Sequence, residues 1–451
     1  MRITSLALTV VALVGCSPSD DGPSNKNDAG GVGGAGGSDG AALDAAAGDC
    51  TEVAVEGETL APEGDWVGAL SVQGTLRIGD DDLARFAVAA YRALPEPGTP
   101  PLWDSSRTWL MGIKQTGNQA FEIRPYDTFP PEITAKNTGI YSGAWSGDTL
   151  GVVQTHKTIP EFVIVKPDSP GSGITKVPLS NPPNPSSVAA PTYVTWDGEA
   201  WAVHGYGAPP QFTLWVARVG TDGTLLLPYT QFGETINAAI GTFAHVLSTD
   251  PVSGRTYVFD AYGKSNVLNG HARDGSRLPG MESGPKLIKA NGTPTTSTDT
   301  PAVSADSTGV WVGWAQLNTG PAYYPMLVQR LDVAGDPVGD AIEVPGEDVL
   351  GDKDRVRYWA LLSRGPSGLV AFAATAAGAY VYEVDQGQVK NLRRVVVDDS
   401  GDADLDFRAL QMLEHDGELW LGFNEHSGLR RVRALKAAPG CVYHYPEFPW
   451  L

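Results

Sequence analysis

One stretch near the C-terminal end gathers hard oxygen ligands: Asp398-Asp399-Ser400-Gly401-Asp402-Ala403-Asp404-Leu405-Asp406. Asp402, Asp404 and Asp406 stand at alternate positions and could chelate Ca²⁺. The stretch has neither the Gly at the sixth place nor the Glu at the twelfth that an EF-hand loop needs, so a solvated loop between strands is the plainer reading. No other cofactor is implied. The seven histidines (156, 204, 245, 271, 415, 426 and 444) show no metal-ligand spacing, and no His-Glu-x-x-His occurs. Residues 50–451 contain no Gly-x-Ser-x-Gly elbow, phosphate loop or dinucleotide fingerprint. The remaining reactive side chains are three thiols, Cys16, Cys50 and Cys441.

Most of the chain is built to hold strands. Tyr193-Val194-Thr195-Trp196-Asp197-Gly198-Glu199-Ala200-Trp201-Ala202-Val203 reads as two short apolar strands about an Asp-Gly turn. Asp-Gly favours a type I′ turn because both central residues need positive φ. The phrase returns at Leu413–Phe423, where Asp416-Gly417 is the turn. Looser copies begin at Trp103, Ala144, Leu247, Ala305 and Leu362, so the spacing is roughly 40–60 residues, the period of propeller blades. A third strand, an outer turn and a fourth strand follow several copies. Phe212–Val219, Thr221-Asp222-Gly223 and Leu225–Leu227 are the clearest case, and Asp274-Gly275 and Ala334-Gly335 mark two more outer turns. The predicted fold is all-β, a β-propeller of seven four-stranded blades, with six or eight as alternatives. The last blade runs out of chain after a strand at Leu429–Leu435, so Thr51–Val55 is expected to supply its fourth strand. Arg85–Tyr91 is expected as the innermost strand of the first blade, with a short helix as the alternative.

The two ends carry a different kind of signal. Arg2, the apolar run Ile3–Val14 and Leu13-Val14-Gly15-Cys16 resemble the lipobox of bacterial lipoproteins, where cleavage precedes an acylated Cys. That resemblance implies a signal peptide over 1–15, a lipidated (palmitate-bearing) Cys16 and, with Ser17 rather than Asp following it, the outer membrane or cell surface. Residues 16–49 are rich in Gly, Ser, Asp and Ala and lack aromatics, so they cannot bury enough apolar surface to fold. They read as a tether, with a mean reach of about 30 Å for a Gly-rich coil. Residues 50–451 read as a single domain. Export places Cys50 and Cys441 in an oxidising compartment at the two ends of that domain, where one disulfide would clamp it.

The chain of 451 residues carries a formal net charge of −20, which argues against a nucleic-acid partner. Taken together, the ends and the repeat resemble the propeller-repeat lipoproteins of Gram-negative bacteria. Two turn phrases, Ser304-x-Asp306 with Gly309 and Trp311, and Ser248-x-Asp250 with Gly254, approach the Asp-box of sialidase-like propellers with altered spacing, and are read as turn chemistry. Two function classes stay open, beside a third, a purely structural envelope protein. One is a monomeric, non-enzymatic binding or scaffold module with a protein or glycan partner, anchored to the membrane through its lipid. The other is an extracellular carbohydrate-active hydrolase or lyase, whose mark would be carboxylates converging at the centre of the ring. Tyr206, Tyr323 and Tyr324 are candidate exposed aromatics on loops.

Overall fold

A computed structural model describes residues 51–53, 66–71, 77–78, 83–94, 102–114, 120–126, 139–156, 159–166, 174–179, 190–206, 213–234, 245–262, 265–290, 292–294, 301–315, 326–344, 358–365, 369–375, 378–385, 387–398, 408–424, 432–437 and 443–445. Cys16, Cys50, Cys441, Asp402, Asp404, Asp406, Tyr323 and Tyr324 lie outside the described residues. Every described element is a β-strand.

The third sheet shows the plan. Strands Ala190–Trp196, Trp201–Tyr206, Thr213–Val219 and Leu225–Glu234 pair in chain order, each antiparallel to the last. The second (139–178), fourth (245–287) and fifth (302–344) sheets repeat it. The first strands of consecutive sheets then pack side by side, from Gly139–Ser146 through Ala190–Trp196, His245–Thr249, Ala302–Asp306, Tyr358–Ser363 and Arg408–His415 to Trp66–Ser71 of the first sheet. The first sheet meets the second where Leu102–Lys114 packs against Gly139–Ser146. Separate antiparallel sheets packed face to face around a closed ring make a β-propeller.

The seventh sheet is assembled from both ends of the domain. Thr51–Val53 is its fourth strand, antiparallel to Val432–Ala437, with Thr51 opposite Lys436. A strand beyond the expected set, Tyr443–Tyr445, leaves the seventh sheet and adds in parallel to Gln388–Asp398 at the outer edge of the sixth.

Two expectations are corrected. Arg85–Tyr91 lies within Leu83–Leu94, the second strand of the first sheet, not the innermost. Trp66–Ser71 takes the inner place, and Leu83–Leu94 is paired along both sides. The stretch from Trp103 is no hairpin. Without a Gly to take positive φ, Leu102–Lys114 runs through as one strand, and Ser106 becomes the extra residue of a bulge between Ser105↔Tyr91 and Arg107↔Ala90. The two Asp-Gly turns differ. Asp416 (φ 51°) and Gly417 (φ 76°) form the expected two-residue turn between His415 and Glu418. At the earlier copy only Gly198 has positive φ, and residues 197–200 make a four-residue loop between Trp196 and Trp201.

The apolar core lies between sheets, not within one. Ala144, Val153, Phe162, Ile164 and Val177 of the second sheet pack with Val194, Trp201, Val203 and Val219 of the third. Trp201 is fully buried, donates from Nε1 to Ala144 O at 2.9 Å, and fits because Gly151 beneath it has no Cβ. At the outer rim the turn glycines Gly223, Gly275 and Gly335 do the same work. A Cβ on each would stand 3.2, 3.2 and 2.6 Å from side chains of the preceding sheet, so the outer turn closes onto its neighbour.

An inner strand has one edge without a ladder partner, so its N–H groups need acceptors. Hydroxyls supply them across the seams. Val194 N–H donates to Ser142 Oγ at 3.1 Å, Ala305 N–H to Ser248 Oγ at 2.9 Å, and Ser363 N–H to Ser304 Oγ at 2.8 Å. Between the third and fourth sheets Thr249 Oγ1 donates to Thr195 Oγ1 at 2.7 Å. Removing such a hydroxyl strands a backbone donor at a seam. Ser142→Ala and Ser304→Ala are each expected to cost about 1–3 kcal/mol in urea unfolding. An effect below about 0.5 kcal/mol in both would show that the seam hydroxyls do not hold the ring.

Candidate functional site

Among the described residues, the buried polar groups concentrate at the seam between the third and fourth sheets. The apolar cluster there is slight: Ala202, Leu214, Val216, Phe232 and Val258. Above it stands Asp197, the turn residue of the opening hairpin. Its Oδ1 accepts the N–H of Glu199 at 3.0 Å and of Ala200 at 2.8 Å, and Oδ2 accepts Arg218 Nε at 2.7 Å. The carboxylate is buried. A buried charge survives only when paired and hydrogen-bonded, and Asp197 is both.

Arg273, from the fourth sheet, reaches across the seam. Its Nε and Nη2 donate to Asp197 O at 3.1 and 2.8 Å, Nη2 also to Pro251 O at 3.1 Å, and Nη1 to Glu199 Oε1 at 2.8 Å. Its stem lies on Gly254, and Gly198 lies so close to Pro251 O that a Cβ there would clash at 1.9 Å. Two turns from neighbouring sheets are thus riveted by one guanidinium, because its fixed fork can serve several carbonyls at once.

Beneath this pair two histidines meet. His204, on Trp201–Tyr206, and His271, at the end of Ser265–His271, stand with Nε2 atoms 2.9 Å apart, and both are buried. His271 Nδ1 lies 2.8 Å from Ala272 O. A carbonyl only accepts, so Nδ1 carries the proton, Nε2 is left as acceptor, and His204 donates to it. Phe232 covers both rings, 4.5 Å from His271 and 6.2 Å from His204 between centroids. Burial pushes His271 down to about 4, against the favourable Ala272 carbonyl and the Asp197 charge. Burial, and then the His271 charge, hold His204 well below the ordinary imidazole range. The backbone of Tyr193 favours a proton on His204, but no hydrogen bond closes at its Nδ1.

A second node joins the fifth and sixth sheets. Asp306 accepts Arg330 Nη2 at 2.9 Å and Nη1 at 3.2 Å, Thr308 Oγ1 at 2.6 Å, and the Ser363 hydroxyl. Burial alone would raise the Asp306 carboxyl, but the bonds from Arg330, Ser363 and Thr308 prevail and hold it well below the usual range. Asp250 likewise caps its own turn, accepting Val252 N–H and Ser253 N–H at 3.1 Å each. In the Asp-box-like phrases, the Asp therefore makes the turn. The Ser two places earlier (Ser248, Ser304) makes the seam bond, a role the sequence reading did not give it.

Of the other sequence candidates, Tyr206 ends the strand Trp201–Tyr206. The His pair was missed because its members lie 67 residues apart and follow no motif. No group of three or more His, Cys, Asp or Glu side chains placed to hold a metal occurs among the described residues. No described helix is long and apolar enough to cross a membrane.

No family model matches the chain, and no curated protein matches it. Solved structures are similar at low identity. The polysaccharide lyase Uly1 is 10% identical, with a TM-score of 0.48 over 85% of this chain and 94% of that one. The β-propeller domain of the Trilobed protease from Pyrococcus furiosus is 9% identical, with a TM-score of 0.40 over 85% and 99%. A prolyl endopeptidase is 15% identical, with a TM-score of 0.45 over 84% of this chain and 48% of that one, so this chain spans about half its length. The propeller assignment here rests on strand order and seam packing.

Arg218→Ala leaves Asp197 buried without its closest cation, and is expected to cost about 3–5 kcal/mol in urea unfolding, with Arg218→Lys recovering part of it. Equal losses in the two variants would mean that a positive charge alone is not what Arg218 supplies. Asp306→Asn tests the second node by pH. A carboxyl held below its unfolded value stabilises the fold above that value and loses the contribution as pH falls through the folded one. Asp306→Asn is therefore expected to be destabilised at pH 7, with the gap to the parent shrinking towards pH 3. A gap constant with pH would remove the ionised carboxylate from the explanation.

Proposed function

We propose that this chain is an outer-membrane or cell-surface lipoprotein whose propeller serves as a non-enzymatic binding scaffold. The observation that supports the scaffold is where the charged side chains go. Asp197, Asp250, Asp306, Arg218, Arg273 and Arg330 are spent on turns and seams, which is a way to build a rigid ring rather than a reaction centre. A rigid ring presents its loops as fixed binding surfaces, and loops over such scaffolds are where recognition concentrates.

The anchor belongs to the same reading. Cys16 carries the lipid, residues 16–49 form the tether, and residues 50–451 form the propeller domain. The strand Thr51–Val53 begins immediately after the tether, so the chain would pass from tether to ring without an intervening linker. Cys50 precedes the strand paired with Val432–Ala437, and Cys441 follows that partner by a few residues, which agrees with a disulfide across the seam. A glycan or protein is the proposed partner class, with the domain acting as a monomer. Ca²⁺ at Asp402, Asp404 and Asp406 would be an accessory at most.

The test is expression in a Gram-negative host with an alkyne-tagged palmitate. The full chain is expected to carry label and to fractionate with the outer membrane, while Cys16→Ser loses both. Label retained in Cys16→Ser would overturn the anchor. Purified protein is then offered to an array of polysaccharides and to surface crosslinking on intact cells. Recovery of one partner without turnover supports the scaffold. Release of unsaturated or reducing ends from any polysaccharide would replace it with the hydrolase or lyase reading.

A further inference from the structure

The seam between the third and fourth sheets holds a hydrogen bond that depends on a missing proton. The two facing Nε2 atoms, 2.9 Å apart, need one donor and one acceptor. Both rings are buried, and Phe232 lies against each, so water does not share the contact. The apolar cluster at this seam has five buried members, Ala202, Leu214, Val216, Phe232 and Val258, with Leu227 and Leu247 packed against them half-buried.

We propose that the His204–His271 pair is an acid-released latch between the third and fourth sheets. When both rings are protonated, two N–H groups point at one another across 2.9 Å and no acceptor remains between them. The rings must then part, and they sit on strands of different sheets, so parting opens the seam.

The charged groups around the pair determine how it responds. Asp197 acts on His271 from the turn of the third sheet, Arg218 from Thr213–Val219 and Asp274 from the turn after Ser265–His271, while Glu199 and Arg273 pair beside Asp197. Asp260 is buried on Thr256–Tyr262, the strand paired with Ser265–His271. From Leu225–Glu234 the packed group is Phe232, which is uncharged. Asp197 is already paired with Arg218, and Glu199 with Arg273, so neither carboxylate is free to neutralise two imidazolium rings. Asp274 is spent on its own turn, accepting Ser276 N–H at 2.9 Å and Ser276 Oγ at 2.5 Å. The sign follows. Both rings resist protonation in the folded state, so as pH falls below the ordinary histidine value the unfolded or opened chain takes up protons first, and stability declines across that window until the folded pair itself titrates. The pair titrates as a unit rather than as two independent rings.

The experiment is urea unfolding of the purified full chain from pH 7 to pH 4.5, with hydrogen exchange read at both ends. The parent is expected to take up about two protons on unfolding near pH 5, and its urea midpoint to fall accordingly. His271→Gln and His204→Gln each keep a polar group at the contact and are expected to lose about half of that fall. After correction for intrinsic rates, amides of Trp201–Tyr206 and Ser265–His271 are expected to lose protection at pH 4.5 before those of Gly309–Ala315. If both variants track the parent at every pH, or protection falls uniformly, the latch is overturned. Should the variants fail to fold, ¹⁵N imidazole spectra of the parent decide it. Both rings staying neutral at pH 6 and titrating together below it supports the latch, and either ring titrating alone at an ordinary value ends it.

Discussion

A propeller has to solve one problem before any other: each sheet's innermost strand ends the ladder, and its outward backbone groups have no strand to meet. Here the neighbouring sheet supplies a single hydroxyl. Ser142, Ser248 and Ser304 each accept a backbone N–H of the next inner strand, and Thr195 and Thr249 meet at the seam between. The interaction is small, but it sets the register in which adjacent sheets meet. Once that register holds, Trp201 falls over Gly151 and the outer turns at Gly223, Gly275 and Gly335 close on the sheet before them.

The seams are not equivalent, and the difference lies in what fills them. Between the second and third sheets, and again between the fourth and fifth, aromatic and aliphatic side chains interlock. Between the third and fourth, two imidazoles and a riveted Asp–Arg cluster occupy much of the space. Apolar packing is indifferent to pH, whereas a buried imidazole contact is not.

Much of this architecture was legible in the sequence because turns obey local rules. Asp416-Gly417 announces a two-residue turn, and the structure has one. The need for Thr51–Val53 to complete the last sheet followed from counting strands. The failures were equally local. Asp104-Ser105-Ser106 has the polarity of a turn, but without a glycine the strand runs on and absorbs the extra residue as a bulge. Arg85–Tyr91 has the apolar content of an inner strand, yet Trp66–Ser71 takes that place because position across a sheet is set by pairing, which a single strand's composition does not record. The site was the least legible part. His204 and His271 converge only because two sheets pack, and the seam role of Ser248 and Ser304 depends on a neighbour about 57–59 residues away.

The closing strand has a mechanical consequence. With Cys50 and Cys441 reduced, pull on the chain before Thr51 enters through three residue pairs, Thr51 with Lys436, Glu52 with Leu435 and Val53 with Ala434. That is the shortest ladder in the seventh sheet, and the ring would part there first. The proposed Cys50–Cys441 bond would carry the load past it, to the chain that leads into Tyr443–Tyr445 on the sixth sheet. Oxidation would thus decide which sheet bears the tether.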